Sequence, residues 1–203
     1  MKKNSYLTVA VFCAFICTGF IRANAQEGEY FKASYISSEG TGWWKELDMN
    51  GFSLTAGTRS SNDDIFFDVG MEFSWQGADV SLTTPSLGGT TYTYTADLAA
   101  LSFTIPMAAG FTIGENVSLY AGPDIGVSLW TSDETVTRNS DGATVTAFGA
   151  DTTWHWGYGV GSTIKFSDNF GIDFGWKHIE HSDFELFPGY ENEYWHAGLY
   201  LEF

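Results

Sequence analysis

The amino-acid sequence predicts an all-β fold, and three observations support this expectation. Apolar residues alternate with polar or small residues in eight segments, which is the period of a strand with one apolar face. No helical period persists beyond residue 25, while glycine and aromatic residues are abundant and only four prolines occur. The connections alternate between short and long, which is typical of strands that run up and down in sequence order.

Residues 1–25 lie outside the predicted fold. Two lysines precede an apolar run over residues 6–21, which is short for a membrane-spanning helix of about 20 residues. Ala23 and Ala25 then form the small-x-small pattern that signal peptidase recognises. We therefore expect a cleaved signal peptide over residues 1–25 and one domain over residues 26–203.

Charge and cysteine content narrow the possible functions. Both cysteines lie in the predicted signal, so the secreted domain would contain no disulfide. The mature chain would keep six basic and all 25 acidic residues, a net charge of −19. This balance argues against a nucleic-acid partner, since phosphate binding needs clustered Lys and Arg. No cofactor motif or Cys/His metal spacing occurs, so we expect neither a cofactor nor a metal.

Four alternating segments make up the first half of the predicted sheet. The clearest covers residues 65–76, where six apolar residues face away from a row that contains Phe66, four polar residues and a glycine. Residues 51–59 and 101–111 alternate in the same way, and residues 30–37 form the weakest segment. Such alternation predicts strands with one apolar face.

The second half of the sheet is predicted from residues 119–129, 154–166, 172–177 and 194–203. The last of these segments ends on Phe203 and alternates without interruption. If it pairs with the first segment, the sheet closes into a barrel and loses its last open edge.

Two prolines, Pro106 and Pro123, fall inside predicted strands. Proline has no amide hydrogen to donate to the ladder of a sheet. We therefore expect both prolines to lie at bulges or near strand ends.

The lengths of the connections indicate a membrane barrel. Short connections cover residues 60–64, 114–117 and 167–169, and long ones cover residues 38–50, 77–93, 131–151 and 182–192. An even number of strands with this rhythm is typical of outer-membrane barrels, whose short turns are periplasmic and whose long loops are extracellular.

Alternation alone does not decide which face points inward, since a soluble eight-stranded barrel would turn its apolar face in. The composition of the polar faces favours the opposite choice. They combine many glycines with charged residues, as a crowded barrel interior does. The charged residues predicted to line the lumen are Arg59, Asp68, Glu72, Asp124, Lys165, Asp173, Lys177 and Glu202. We expect them to pair and fill the lumen; a narrow path for a small solute is the alternative.

The aromatic residues sort by strand end, which also favours an outward apolar face. Tryptophans predicted to form the outer girdle are Trp75, Trp154, Trp156, Trp176 and Trp195. Phenylalanines gather towards the short-turn ends of the strands. Two aromatic girdles around an aliphatic band are expected at membrane interfaces. The sequence therefore predicts an eight-stranded antiparallel up-and-down transmembrane β-barrel.

These residues resemble a known family, the OmpA/OmpX-type (porin-family) outer-membrane β-barrel domain of Gram-negative bacteria. The resemblance rests on the signal ending at residues 23–25, on Tyr-Ala-Gly-Pro at residues 120–123, and on Leu-Tyr-Leu-Glu-Phe at residues 199–203. It implies location in the outer membrane among lipid and lipopolysaccharide, and recognition of Phe203 by the barrel assembly machinery. It does not imply one function.

The resemblance leaves three kinds of function open. We expect a structural, adhesion or surface-interaction role through the extracellular loops, with a narrow solute channel as one alternative. The other alternative is a lipid A-modifying enzyme, because His178 and Glu180 are placed like residues of the lipid A deacylases. Glu180 stands where the nucleophilic serine would be, and Ser182 follows His181 directly. We therefore expect no enzymatic activity.

Alternation continues beyond the third to sixth predicted strands into the long connections. Gly88 and Gly89 separate one pair of such extensions, and Asp141 and Gly142 separate the other, and both dipeptides are hairpin signals. These patterns predict a four-stranded sheet above the membrane with open edges at the third and sixth strands. Such edges can accept a strand from an extracellular protein partner. We take the Val145 amide as one of the edge donors.

Overall fold

The computed structural model describes residues 28–41, 47–62, 64–87, 90–182 and 189–203. Ala23 and Ala25, the predicted cleavage residues, lie outside the described residues. The part of the chain that the structure describes contains no helix long and apolar enough to cross a membrane.

Eight strands account for nearly all of the described residues. They are β1 (Glu29–Gly40), β2 (Asp48–Asn62), β3 (Ile65–Leu87), β4 (Thr90–Ile113), β5 (Val117–Arg138), β6 (Thr144–Ser167), β7 (Phe170–His181) and β8 (Glu191–Glu202). Each strand pairs antiparallel with the next, and β8 pairs with β1 to close the barrel. The prediction of an eight-stranded up-and-down barrel is confirmed.

The apolar face of the barrel points outward. On β3, Phe67 and Met71 are 60% and 59% exposed, whereas Asp68 and Glu72, the residues that follow them, are 4% and 7% exposed. The outward face continues to the half-buried Trp75 near the loop end of the band. Apolar side chains therefore form a continuous outer surface, and polar side chains fill the interior.

Arginine at Met71 is expected to destabilise the barrel by about 2–4 kcal/mol, because Met71 lies midway between the aromatic residues Phe67 and Trp75 on the lipid-facing surface. The free energy of unfolding in urea, measured in lipid vesicles, checks this. Ser81→Arg is the matched control, since Ser81 lies on the same strand and the same face but is exposed above the band. Equal losses in both variants would contradict the outward assignment.

The four central strands extend beyond the rest of the barrel. β3 to β6 contain 23, 24, 22 and 24 residues, whereas the other four contain 12 to 15. Pairing of β2 with β3 stops at Gly77, and pairing of β6 with β7 stops at His155. β3 and β4 nevertheless stay paired to Thr90, and β5 and β6 stay paired to Thr144. The predicted protruding sheet, with open edges at β3 and β6, is confirmed.

A tight hairpin joins β5 to β6. The Arg138 amide donates to the Ala143 carbonyl at 2.8 Å, and Gly142 has a φ of 71°, which favours glycine. The Asp141 carboxylate accepts a hydrogen bond from the Ala143 amide at 3.1 Å. This arrangement is a turn of the kind predicted from Asp-Gly. The other predicted turn, at Gly88 and Gly89, lies outside the described residues.

The prediction of bulges or strand ends at the two prolines is wrong. Pro106 pairs with Asp124, and the register of β4 against β5 is the same on both sides of this pair. The register of β4 against β3 is likewise unchanged across Pro106. The strands approach so closely beside Pro123 that a methyl group at Gly122 would collide with the Met107 carbonyl. The neighbouring strands therefore keep both prolines in a regular register, although proline has no amide hydrogen to donate to the ladder.

Candidate functional site

The lumen contains three groups of paired charges, and the first is centred on Lys177. Its ammonium lies 3.3 Å from Glu72 Oε2 and 3.0 Å from Asp124 Oδ2. Tyr194 and Thr55 each donate a hydroxyl hydrogen bond of 3.2 Å to the Glu72 carboxylate. One cation thus serves two buried carboxylates, with two hydroxyls satisfying one of them.

The second group is centred on the fully buried Asp173. Lys32 binds this carboxylate at 3.0 Å, and the hydroxyls of Tyr120 and Thr163 donate to it at 2.9 and 2.8 Å. His196 Nε2 lies 3.1 Å from its other oxygen. The sequence pattern did not single out Lys32, because it lies in the weakest predicted strand. Its position between Phe31 and Ala33, which belong to the apolar face, was the available signal.

The third group lies towards the short-turn end. Arg59 binds Asp68 through two nitrogens, Nε and Nη2, each 2.8 Å from a carboxylate oxygen. Lys165 pairs with Glu202, which also accepts a hydrogen bond from Tyr200 at 2.8 Å. All eight charged residues predicted to line the lumen therefore take part in ion pairs, but in three separate groups.

Polar side chains fill the upper lumen as well. His155 lies 3.0 Å from the Thr104 hydroxyl and 2.9 Å from the Ser128 hydroxyl, and Ser128 contacts Ser102 at 2.7 Å. Two cavities between the described side chains measure about 50 and 30 Å³. Cavities of this size accommodate a few water molecules. The described lumen is a packed polar core.

An apolar cluster closes the loop end of the barrel. Its buried members are Leu47, Met49, Ala96, Leu98, Ala100, Trp130 and Tyr190. Trp130 is 2% exposed and packs edge-on against Tyr190, with ring centroids 5.1 Å apart. Burial raises the pKa of the Tyr190 hydroxyl. We call this group of seven residues the mouth cluster.

The sequence pattern did not predict the mouth cluster, because polar residues were expected on every inward face. The available signal is a change of face along β4. In the membrane band the apolar residues of β4 point outward, as Leu101 and Phe103 do, whereas Leu98 and Ala96 above it are buried inside. Apolar residues therefore move to the inner face where the outer face leaves the lipid.

The predicted girdle tryptophans all lie on the outward face near the loop ends of their strands. Trp154, Trp156 and Trp195 are 67%, 53% and 66% exposed. Trp75 and Trp176 are half-buried, and Trp176 pairs across strands with Trp195. The Trp176 indole also donates a 3.3 Å hydrogen bond to Glu193. At the other end, the Phe203 amide donates to the Glu29 carbonyl at 2.9 Å, and its role in assembly stays a prediction.

The open edge of β6 can be assigned residue by residue. Near its lower end, the Ser182 amide donates to the Trp154 carbonyl at 2.8 Å, so Trp154 points its backbone groups towards β7. Backbone groups alternate in direction along a strand. Residues that point in the same direction above Trp154 are Thr144, Thr146, Phe148, Ala150 and Thr152. The expectation that Val145 is an edge donor is therefore wrong, because its amide points towards β5.

The open edge of β3 differs in chemistry from that of β6. The Thr112 amide donates to the Asp64 carbonyl at 2.7 Å, so even-numbered residues of β3 point towards β4 and odd-numbered ones towards the open edge. Asp79 brings a charge to this edge, and Pro85 follows on the same strand. Charges and prolines discourage pairing at an edge. The five edge residues of β6 are uncharged, and four of their amides are candidate donors, since the Thr152 amide already donates to the Asp151 carboxylate at 2.7 Å.

Comparison with protein families identifies the chain. The family described as "outer membrane protein beta-barrel domain" matches residues 13–203 of this chain. The chain belongs to this family. It is therefore a protein of the cell outer membrane, as the resemblance implied. A comparison with curated protein sequences gives no match.

Solved structures of other outer-membrane proteins have the same fold, although their sequence identity to this chain is low. Ail, the attachment invasion locus protein of Yersinia pestis, is 19% identical, with a TM-score of 0.52 over 88% of this chain and 100% of that one. A major outer membrane protein from Thermus thermophilus is 13% identical, with a TM-score of 0.56 over 86% of this chain and 99% of that one. At these identities the likeness concerns the fold.

The candidate enzymatic residues of this outer-membrane barrel do not form a triad. His178 Nε2 lies 3.6 Å from Glu180 Oε1 on the outward face. The Ser182 hydroxyl is bound by the Thr153 hydroxyl at 2.7 Å and by the Trp154 amide at 3.2 Å. Among the described residues, no group of three or more His, Cys, Asp or Glu could hold a metal ion. The geometry gives no support to the deacylase alternative.

Proposed function

We propose that this protein is a surface-interaction protein that binds an extended segment of a partner at the open edge of β6. The observation that carries the proposal is the run of residues 144–153, which pairs with β5 on one side and with no strand of the described chain on the other. Strand addition gives affinity through main-chain hydrogen bonds.

The side chains around this edge support the same role. Val145 and Phe148 are 72% and 68% exposed, although they lie on a strand outside the lipid band. Exposed apolar residues on a long edge strand are typical of a pairing site. The β3 edge, with Asp79 and Pro85, is the less receptive of the two.

The β3–β4 side of the protruding sheet is supported from below, and the β6 edge is kept extended by its ladder with β5, which continues to Thr144. Ala78, Val80 and Tyr94 on the inner face of the sheet pack against the mouth cluster. Burial, and the Glu134 carboxylate that accepts its hydrogen bond, raise the pKa of Tyr94. A rigid edge loses little conformational entropy when a partner strand adds to it.

The charge of the sheet restricts the partner. Asp79, Asp97 and Asp133 lie directly beside one another on the outer face, and Phe148 continues the same row on β6. A negatively charged partner would be repelled by this row. Ail of Yersinia pestis has been crystallised with the heparin analogue sucrose octasulfate. For this acidic protein we favour a neutral or basic peptide segment over a sulfated polysaccharide.

The alternatives are less well supported. A solute channel would need an open lumen, whereas the three ion-pair groups leave cavities of about 50 and 30 Å³ beneath the mouth cluster. A role in strand capture needs no catalytic residues, in keeping with the absence of a formed triad among the described residues.

Proline at Thr146 is expected to weaken binding of a model strand about fivefold, because it removes one edge hydrogen bond. The probe is a fluorescent peptide of alternating valine and threonine flanked by lysines, titrated against the refolded protein by anisotropy. Ser81→Pro is the matched control, since it removes an amide from the β3 edge. A second probe carries N-methyl groups on the residues that would pair with β6.

The proposal predicts that Ser81→Pro binds normally and that the N-methylated peptide does not bind. Equal binding of both peptides would show that main-chain pairing is not involved. A loss in Ser81→Pro with no loss in Thr146→Pro would assign the function to the other edge.

A further inference from the structure

The lipid-facing surface is interrupted by a groove of about 600 Å³ across β5 to β8. Its floor is Ser162, which lies between Leu119 on β5 and Phe174 on β7 in one cross-strand row. The row above it contributes Val160, Trp176 and Trp195. Ser162 is 7% exposed although it faces outward, because the larger neighbours stand above it. Ser162, a small residue flanked by larger ones, thus forms the floor of a groove with apolar walls.

The position of the groove within the band limits what can fill it. Phe174 lies four residues above Phe170 at the short-turn end of β7 and four below His178 at the loop end. These residues span the hydrocarbon region between the two aromatic girdles. Only an apolar chain fits a groove at this depth, and the surrounding lipid supplies it.

Carboxylates cluster where the groove reaches the outer interface. Trp176, which forms part of the wall, donates its indole hydrogen to Glu193 at 3.3 Å. Glu180 lies directly across from Glu191 in the β7–β8 ladder, and like charges in this position repel. The described residues of β7 and β8 include one cation besides histidine, Lys177, and it faces the lumen. His178 lies 3.6 Å from Glu180 and directly across from Glu193, so among the described residues of β7 and β8 no permanent cation faces these carboxylates.

We propose that the groove binds an acyl chain of an outer-leaflet lipopolysaccharide whose lipid A headgroup carries an ammonium group. The chain lies over Ser162 between Phe174 and Leu119. The ammonium group contacts Glu193 and Glu180 and approaches the face of Trp176. A headgroup bearing only phosphates would meet repulsion at the same carboxylates.

The orientation of the barrel in the membrane identifies the leaflet that supplies the lipid. The carboxylates are at the long-loop ends of β7 and β8, and long loops face the exterior in outer-membrane barrels. The leaflet on that side contains lipopolysaccharide, so an amine-substituted lipid A satisfies both the groove and the carboxylates.

The test compares two lipids on the refolded full barrel, lipid A with a phosphoethanolamine substituent and unmodified lipid A. Bound lipid per barrel is counted by native mass spectrometry in the presence of EDTA. The wild type is expected to prefer the substituted lipid about threefold, the contribution of an exposed ion pair. Glu193→Gln should abolish the preference, and Asp48→Asn, which removes a charge from the same rim on β2, should keep it.

A second pair of variants tests the groove itself. Ser162→Phe fills the floor and should reduce binding of both lipids about tenfold, because the chain loses its apolar contact. Ala56→Phe adds the same ring to the lipid-facing surface of β2 and should have no effect. Heat-modifiable mobility on gels reports folding, and Ser162→Leu is measured beside Ser162→Phe as a smaller substitution that also fills the floor.

Three outcomes would overturn the proposal. Equal binding of the two lipids would remove the ammonium assignment. Strong binding of unmodified lipid A only when Mg²⁺ is added would replace the ammonium group by a bridging metal. Normal lipid binding by both Ser162 variants would show that the groove is not the site.

Discussion

Replacement of Lys177 by methionine is expected to destabilise the barrel by about 3–5 kcal/mol, because it leaves buried carboxylates without their cation. Lys177 is the one ammonium within ion-pair distance of both Glu72 and Asp124 in the described lumen. Methionine keeps the length of the side chain, so the loss reports charge rather than volume. Tyr194 and Thr55 can still donate to Glu72, but neither compensates a full charge.

The free energy of unfolding in urea, measured in lipid vesicles, gives the size of this effect. Lys165→Met is the matched control, because the Lys165 side chain is 20% exposed and its partner Glu202 is 19% exposed. Partly exposed pairs contribute less, about 1 kcal/mol or below. A loss at Lys177 no larger than the loss at Lys165 would contradict the description of the lumen as a packed polar core.

Trp130→Ala is expected to cost about 3–5 kcal/mol in the stability of the mouth cluster, as large-to-small changes at buried aromatic residues do. Trp130 is 2% exposed and contacts Tyr190 and His181 edge-on, at 5.1 and 5.5 Å between ring centroids. Its removal should loosen the contact between the protruding sheet and the shorter strands.

Amide hydrogen exchange locates this effect. Protection should fall at residues 47–49 and at Tyr190 and stay unchanged in the lipid band. Trp154→Ala is the control, since Trp154 is 67% exposed on the outward face and touches no part of the cluster. Unchanged protection in Trp130→Ala would mean that the mouth cluster contributes little to order at the loop end.

Much of the fold could be predicted because a barrel wall repeats one simple pattern. Each strand alternates between lipid and lumen, so residues such as Phe67 and Asp68 reveal their faces from position alone. The protruding sheet was predictable for the same reason, since the alternation of residue types along the strands continues above the lipid-facing band, through Thr93 and Val136. Local sequence suffices where each residue's surroundings depend only on its face.

Features that depend on several strands at once were not predictable. The mouth cluster needs Leu47, Leu98 and Tyr190 to meet, and these residues belong to different strands and loops. Which ion pairs form depends on register, so Lys32 and His196 were not assigned to Asp173 in advance. The direction of the Val145 amide also depends on which pairs in the ladder are hydrogen-bonded, and alternation of side chains does not reveal this.

Hydrogen exchange along the edge of β6 tests the central claim, that the protruding sheet has a receptive edge there. The account predicts slow exchange at Val145, Ala147, Gly149 and Asp151, whose amides point to β5. It predicts fast exchange at the alternate residues Thr144, Thr146, Phe148 and Ala150, and protection of these when the model strand is added. The Thr152 amide is left out because it already donates to the Asp151 carboxylate at 2.7 Å. Fast exchange at all eight residues would show that no sheet stands above the membrane. Slow exchange at all eight in the protein alone would show that the edge is already paired.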